Sequence, residues 1–311
     1  MRSSLRSHKF LTFFSAFFIY CVAYSDTTPL NNGTAEEQIE HIEFLVRQNK
    51  KPDQKTISSL AQLLDSPQTP VLVQERAVWA LGRFQATQFI DAITHAAQSK
   101  SLLVRSAALD ALMHMRARSG FDVYIKIADQ DPVLSMRQRA TLALGLLRWE
   151  KAVQPLVKLS NDLNPEVRGA SCLSMAATHS KKNNFSEVMK EMIRDKDPYV
   201  KRRAERGMEI VQRKTNLVQK HLSSDDKDIR LFGVLYFHDH GKGSDLEVLK
   251  KLNAAEKDIE IAYEISQAIQ AIHKRIAAEK ARIEEERKEK ERQEAAKKKA
   301  AQQKSNSQNP K

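Results

Sequence analysis

Glycine and proline are scarce in this chain, nine of each among 311 residues, and no tract dense in either interrupts residues 35–272. A chain longer than one ordinary compact core, with no breaker-rich linker inside it, is expected to form one extended array rather than two joined globules. Cysteine is scarcer still. Cys21 lies in an N-terminal apolar run, which leaves Cys172 as the one thiol of the remainder and excludes an internal disulfide there. A lone thiol within the helical stretch VRGASCLSM reads as a small buried hydrophobe rather than a nucleophile. The chain also lacks a glycine-rich phosphate loop, a GxSxG elbow and an HExxH pair. The motifs that would position a phosphate, an acyl-enzyme serine or a catalytic zinc are therefore missing. The expectation is a protein that is not an enzyme, with no catalytic residues and no cofactor.

Long hydrophobic runs are confined to one place. Arg2, Arg6 and Lys9 precede an apolar run from Phe10 to about Ala23, with small residues at Ala23 and Ser25. That order is the order of a secretory signal peptide, with cleavage near Ser25 and a periplasmic or secreted location for the mature chain. The rival is an uncleaved N-terminal anchor, because the run is only somewhat shorter than the roughly 20 residues a spanning helix needs. The bulky Tyr20 before Cys21 argues against a lipoprotein signal.

The net charge of +12 is a property of the ends: residues 1–25 contribute +3 and residues 273–311 contribute +6, leaving +3 on the body. A nearly neutral body does not supply the clustered cations that phosphate contacts need, so nucleic acid is not an expected partner.

What the body does have is a period. Val73, Val104, Met136, Val167, Val200, Ile229 and Ile259 are separated by 31, 32, 31, 33, 29 and 30 residues. Four residues past each anchor stands Ala77, Ala108, Ala140, Ser171, Ala204, Gly233 or Tyr263, and eight past it Leu81, Leu112, Leu144, Met175, Met208, Phe237 or Gln267. Small then large at helical spacing implies one packed helix per repeat. A shorter first helix precedes each, as in TISSLAQLL at 56–64. Asp131-Pro132, Asn164-Pro165 and Asp197-Pro198 read as an N-cap followed by the first helical position. Thr34 and Glu37 form a capping box before a helix of about 35–48 that reads as an N-terminal cap.

The D-P-x-V-R-x-x-A-x-x-A-L-G pattern, fullest in NPEVRGASCLSM and DPVLSMRQRATLALGLL, together with Ala80-Leu81-Gly82 and Ala143-Leu144-Gly145, resembles HEAT repeats, especially the short bacterial kind also found in phycobilisome lyases. The resemblance covers about residues 54–272 and implies an all-α, right-handed α-solenoid of about seven helical hairpins. With the readings of the two ends, the expected organisation is a signal at 1–25, a leader and capping helix at 26–53, the array at 54–272 and a charged tail at 273–311. It also implies that the basic residues after the anchors, Arg105, Arg137, Arg168, Lys201 and Arg230, form a structural ladder with acids of adjoining turns, for which Asp131, Asp162, Asp197 and Asp226 are the candidates.

Stacked repeats present an elongated face suited to a protein partner. If the second helices form that face, the candidate contacts are Glu75, Arg83, Asp110, Arg116, Gln138, Arg148, Arg202, Arg203 and Arg206. Trp149, near a turn, is read either as an anchor for a partner or as a cover for the core. The tail is read as a solvated helix fraying into SNSQNPK, without the sustained apolar seam of a coiled coil. It is either a solubilising spacer or a tether to an anionic envelope surface through Lys297, Lys298, Lys299 and Lys304. A cofactor- or pigment-handling accessory role is the third alternative, implied by the lyase resemblance. His238, Asp239 and His240 form a weak metal candidate, with capping of a helix C-terminus as the simpler reading.

Overall fold

The computed structural model describes residues 27–48, 50–179 and 185–307. Among these there are sixteen α-helices and no strand. Helices α1 (Thr28–Asn32) and α2 (Ala35–Arg47) precede seven hairpins. These pair α3 (Gln54–Asp65) with α4 (Val71–Arg83), α5 (Ile90–Ala96) with α6 (Leu102–His114), α7 (Phe121–Gln130) with α8 (Leu134–Leu146), and α9 (Val153–Leu159) with α10 (Pro165–Thr178). The series continues with α11 (Ser186–Met192) and α12 (Pro198–Val211), α13 (Thr215–His221) and α14 (Lys227–His240), and α15 (Leu246–Ala255) and α16 (Ile259–Ser307). The class is an all-α solenoid. By contacts the chain divides into two compact units, ending and beginning at Ala204 and Glu205 within α12. The expected boundary at residue 273 falls inside the unbroken α16.

The periodic residues are the core. Val73, Ala77 and Leu81 of α4 are fully buried, as are the equivalent residues of α6, α8 and α10. Each buried anchor of this size contributes about 1.5–3 kcal/mol relative to exposure. The last repeat departs from the expected register. Ile259 is 73% exposed and Tyr263 is 43% exposed, whereas Ile261, Ile265 and Ile272 are buried. The anchor is therefore Ile261, two residues further on, and Asp258 fixes it by accepting hydrogen bonds from the backbone N–H groups of Glu260 and Ile261. Asp226 does the same for Asp228 and Ile229.

Two of the three polar-cap–proline starts are as expected. Asn164 accepts from Glu166 N–H, and Asp197 accepts from Tyr199 N–H. Asp131 is different: α8 begins only at Leu134, and the Asp131 carboxylate turns to Arg105, 3.0 Å away. It occupies the ladder position, five residues before its anchor, rather than the cap position three before it.

The ladder itself exists, with partners partly other than those expected. Arg105, Arg168 and Arg230 each fork onto an acid of the next turn, Asp131, Asp195 and Glu256 at 3.0, 2.8 and 3.1 Å. Each also donates through one nitrogen to two carbonyls of its own preceding turn. Asp197 and Asp226 cap helices instead, and Asp162 accepts from Asn164 N–H. Among the described residues the Arg137 side chain keeps only the carbonyl bond, to Asp131, and Lys201 is exposed. The guanidinium of Arg168 holds the Asp195 carboxyl below its ordinary range. Such half-buried pairs fix register more than they add net stability.

Four second helices stop on a left-handed residue: Gln85, Arg116, Arg148 and Arg213, with φ of 51°, 49°, 47° and 53°. At Gln85 the Ala86 N–H donates to Leu81 O and the Gln85 N–H to Gly82 O, the paired bonds that close a helix end. Glycine is the usual residue there. Arginine accepts the backbone penalty and places a cation at the negative end of the helix dipole.

Cys172 is fully buried, with its Sγ 3.3 Å from the sulfur of Met192, and burial pushes its thiol pKa up. It is a packing residue, as its context in the sequence implies.

Candidate protein-binding surface

The expected contact residues on the second helices are largely engaged within the molecule. The carboxylate of Asp110 pairs with Arg139, which also donates to the hydroxyl of Ser106 at 2.8 Å. Arg206 pairs with Glu209 at 2.9 Å. Gln138 donates to the hydroxyl of Tyr199 at 3.2 Å, across the intervening α10. That reach is possible because α10 carries Gly169: a Cβ there would lie 2.5 Å from the Tyr199 ring. Arg203 stacks on the same ring at 4.4 Å and is only 3% exposed. The expectation that Arg203 meets a partner is thus corrected, because its guanidinium is buried against the Tyr199 ring.

Glu75 is half-buried, and desolvation raises its carboxyl pKa against the lowering effect of Arg76 beside it. Arg83 and Arg202 are exposed, and Arg116 and Arg148 sit at the left-handed helix ends. Trp149 is half-buried, edge-on to Phe121 at 5.2 Å, with Lys151 and Arg118 over its ring at 4.6 and 5.5 Å. An aromatic flanked by two cations accepts either a carboxylate or an apolar group from outside.

The His238, Asp239 and His240 candidate does not assemble a metal site. His238 Nδ1 is bonded to Asp239 at 2.9 Å, His240 tilts against Tyr236 at 5.0 Å, and no group of three ligating side chains occurs among the described residues. The two histidines do lie in the last turn of α14, as expected. The cation that caps its carbonyls, however, is Arg275 of α16, bonded to the oxygens of Phe237, His238 and Gly241.

The sequence reading missed a different set. Val71 and Leu72 at the start of α4 are 45% and 56% exposed, and Leu102 and Leu103, 31 residues on at the start of α6, are 43% and 52% exposed. Leu163, in the turn before α10, is 99% exposed. The same exposed apolar pair recurs at the same place in consecutive repeats, which puts both pairs on one edge of the first unit. The signal in the sequence was the repeated pair of large apolar residues just before the anchors Val73 and Val104.

In α16, Lys297 and Lys298 are exposed. Lys299 and Lys304 lie on the same helix, which runs to Ser307, three residues into the stretch expected to fray. No glycine or proline stops it before Pro310. No described helix is long and apolar enough to cross a membrane; the segment read as a signal or anchor, and Gln308 to Lys311, lie outside the described residues.

Residues 57–133 and 121–209 match the family of HEAT repeats. Residues 57–209 are thus HEAT repeats, a scaffold that suggests a role in protein interaction. Among solved structures the chain is similar to the complex of CpcE and CpcF of phycocyanin lyase from Nostoc sp. PCC7120, at 17% identity and a TM-score of 0.50, covering 72% of this chain and 97% of that one. It is also similar to the archaeal HEAT-like repeats protein from Thermococcus onnurineus NA1, at 14% identity and a TM-score of 0.40, covering 78% and 97%. A designed armadillo repeat protein in complex with the peptide (KR)4 matches at 16% identity and a TM-score of 0.44, covering 60% and 97%. No curated protein matches the chain.

Proposed function

We propose that the protein is a non-enzymatic adaptor of an exported compartment that docks a partner protein along the apolar edge of its first unit. The observation that carries this reading is the repetition of the exposed pair, Val71-Leu72 and Leu102-Leu103, one repeat apart. Single exposed leucines are ordinary, but an edge that repeats them in register suits a partner presenting an apolar face. Trp149 with its two cations would supply a further anchor in the same unit. Export rests on the basic, apolar and small-residue order of residues 1–25.

The test is a photo-crosslinking residue placed at Leu103 and, as a control, at the exposed Asn216. A reproducible protein adduct from Leu103 alone, lost in a Leu72→Glu variant that melts at the unchanged temperature, is the expected result. Equal adducts at both positions, or none at Leu103, would sink the reading.

A tether role for the tail is a second reading, supported by the continuation of α16 to Ser307 with Lys297 and Lys298 exposed. Truncation after Glu294 should then abolish salt-sensitive sedimentation with anionic membranes. The likeness to the phycocyanin lyase complex, at its level of identity, extends to the fold and not to pigment handling.

A further inference from the structure

The second unit holds a cavity of about 740 Å³. One wall is the end of α14 from Tyr236 to the Gly241-Lys242-Gly243 turn; a second is Arg213 and Thr215; the third is α16 from Ile272 to Lys280. The third wall exists because α16 does not stop. The left-handed helix ends fall 12 or 13 residues after their anchors, and the same count from Ile261 ends at 273 or 274, so Ile276, Glu279 and Lys280 stand beyond the usual terminus. The glycine turn is pressed against this extension: a Cβ on Gly241 would lie 2.7 Å from Ile272 Cδ1, and one on Gly243 would lie 3.3 Å from Ile276 Cδ1.

The cavity is cationic and its acids are already engaged. Glu279 is held by Arg282 at 2.7 Å, and Asp239 accepts from His238 at 2.9 Å. Arg275 neutralises the carbonyl end of α14, so that helix terminus does not repel an anion. Arg213, Lys242 and Lys280 are exposed at the rim with no carboxylate partner among the described residues. Below them lie buried Ile272, half-buried Ile276 and the hydroxyls of Thr215 and Tyr236, 2.7 Å apart. The volume is that of a small-molecule site, and rim cations over an apolar floor select a charged head on an apolar body.

We propose that this pocket binds an organic anion, a carboxylate or phosphate carried on an apolar body. The inference is independent of the docking edge. The test is calorimetric titration of the purified full chain with hexyl phosphate, hexanoate and inorganic phosphate, and sedimentation with vesicles containing phosphatidate. Saturable binding of hexyl phosphate or hexanoate is expected, with inorganic phosphate at least about tenfold weaker because burial of the alkyl chain is lost. An Arg213→Ala, Lys242→Ala variant should weaken the organic anion at least about tenfold at an unchanged melting temperature. Vesicle binding lost in the same variant would assign a lipid headgroup as the source, and hexyl phosphate or hexanoate binding without vesicle binding would assign a free ligand. No saturable binding of either organic anion, equal affinity for inorganic phosphate, or indifference to the double variant would overturn the proposal.

Discussion

Two kinds of junction hold the second helices of the first unit together. Helices α4 and α6 pack closely along their length, as do α8 and α10, whereas α6 and α8 touch far less. The difference traces to one position, nine residues past the anchor. Gly82 and Gly145 stand there in α4 and α8, and a Cβ on either would lie 2.7 Å from Ala111 Cβ or 2.5 Å from Ser174 Cα. In α6 the same position is Met113, a side chain that keeps the neighbouring backbone away. Arg139 of α8 spans the wider junction instead, reaching Asp110 and Ser106. The Ala-Leu-Gly motif is therefore a spacing device: where glycine is absent, the stack is joined by polar bonds whose strength depends on salt.

Breaking a tight junction should cost the most. Gly145→Val forces backbone apart at Ser174 and is expected to lose more than about 2 kcal/mol, read as a fall in melting temperature. The wide junction should be more tolerant: Arg139→Ala is expected to lose about 1–2 kcal/mol, and the loss should shrink in high salt, whereas that of Gly145→Val should not. Equal salt dependence of the two would remove the distinction.

The second unit provides a junction that responds to pH. His221 is buried, bonded to Glu209 at 2.6 Å, with no partner on Nδ1 among the described residues. Burial lowers its pKa despite the raising effect of Glu209. The folded chain thus binds fewer protons than the unfolded chain near the ordinary imidazole value of 6.5, so stability present above that pH is lost as pH falls below it. Unfolding of the second unit followed from about pH 7.5 to about pH 5 should show this slope, and His221→Gln should flatten it. The smallest expected effect lies beside the wide junction. The Tyr124 hydroxyl is buried without a partner among the described residues, close to Leu112 and Gly120, and Tyr124→Phe should stabilise by about 1 kcal/mol in denaturant titration.

The core register was legible because each anchor, small residue and large residue falls on one helical face. The final anchor was not, since Ile259 and Ile261 are both apolar and the spacing favoured the first. The decisive sign was Asp258, which stands three residues before Ile261 as Asn164, Asp197 and Asp226 stand before theirs. Ladder acids were misassigned for a related reason. In Asp195-Lys196-Asp197 and Glu256-Lys257-Asp258 the first acid meets arginine and the second caps a helix, and spacing alone does not separate the two. The contacts of Tyr199 depend on how closely three helices approach at Gly169, which no local pattern encodes. The exposed edge was visible as repeated apolar pairs, but only exposure distinguishes such pairs from core.

The unbroken α16 is also a ruler. From Ile276, its last half-buried isoleucine against the array, to Ser307 the helix rises about 46 Å at 1.5 Å per residue, and each residue turns the far end by about 100°. Any contact made by Lys297 and Lys298 is thereby set at a fixed distance and a fixed azimuth from the pocket at the helix base. Inserting two residues after Glu289 would swing those lysines by about 200° with little change in length, whereas inserting seven would lengthen the helix by about 10 Å and nearly restore their direction.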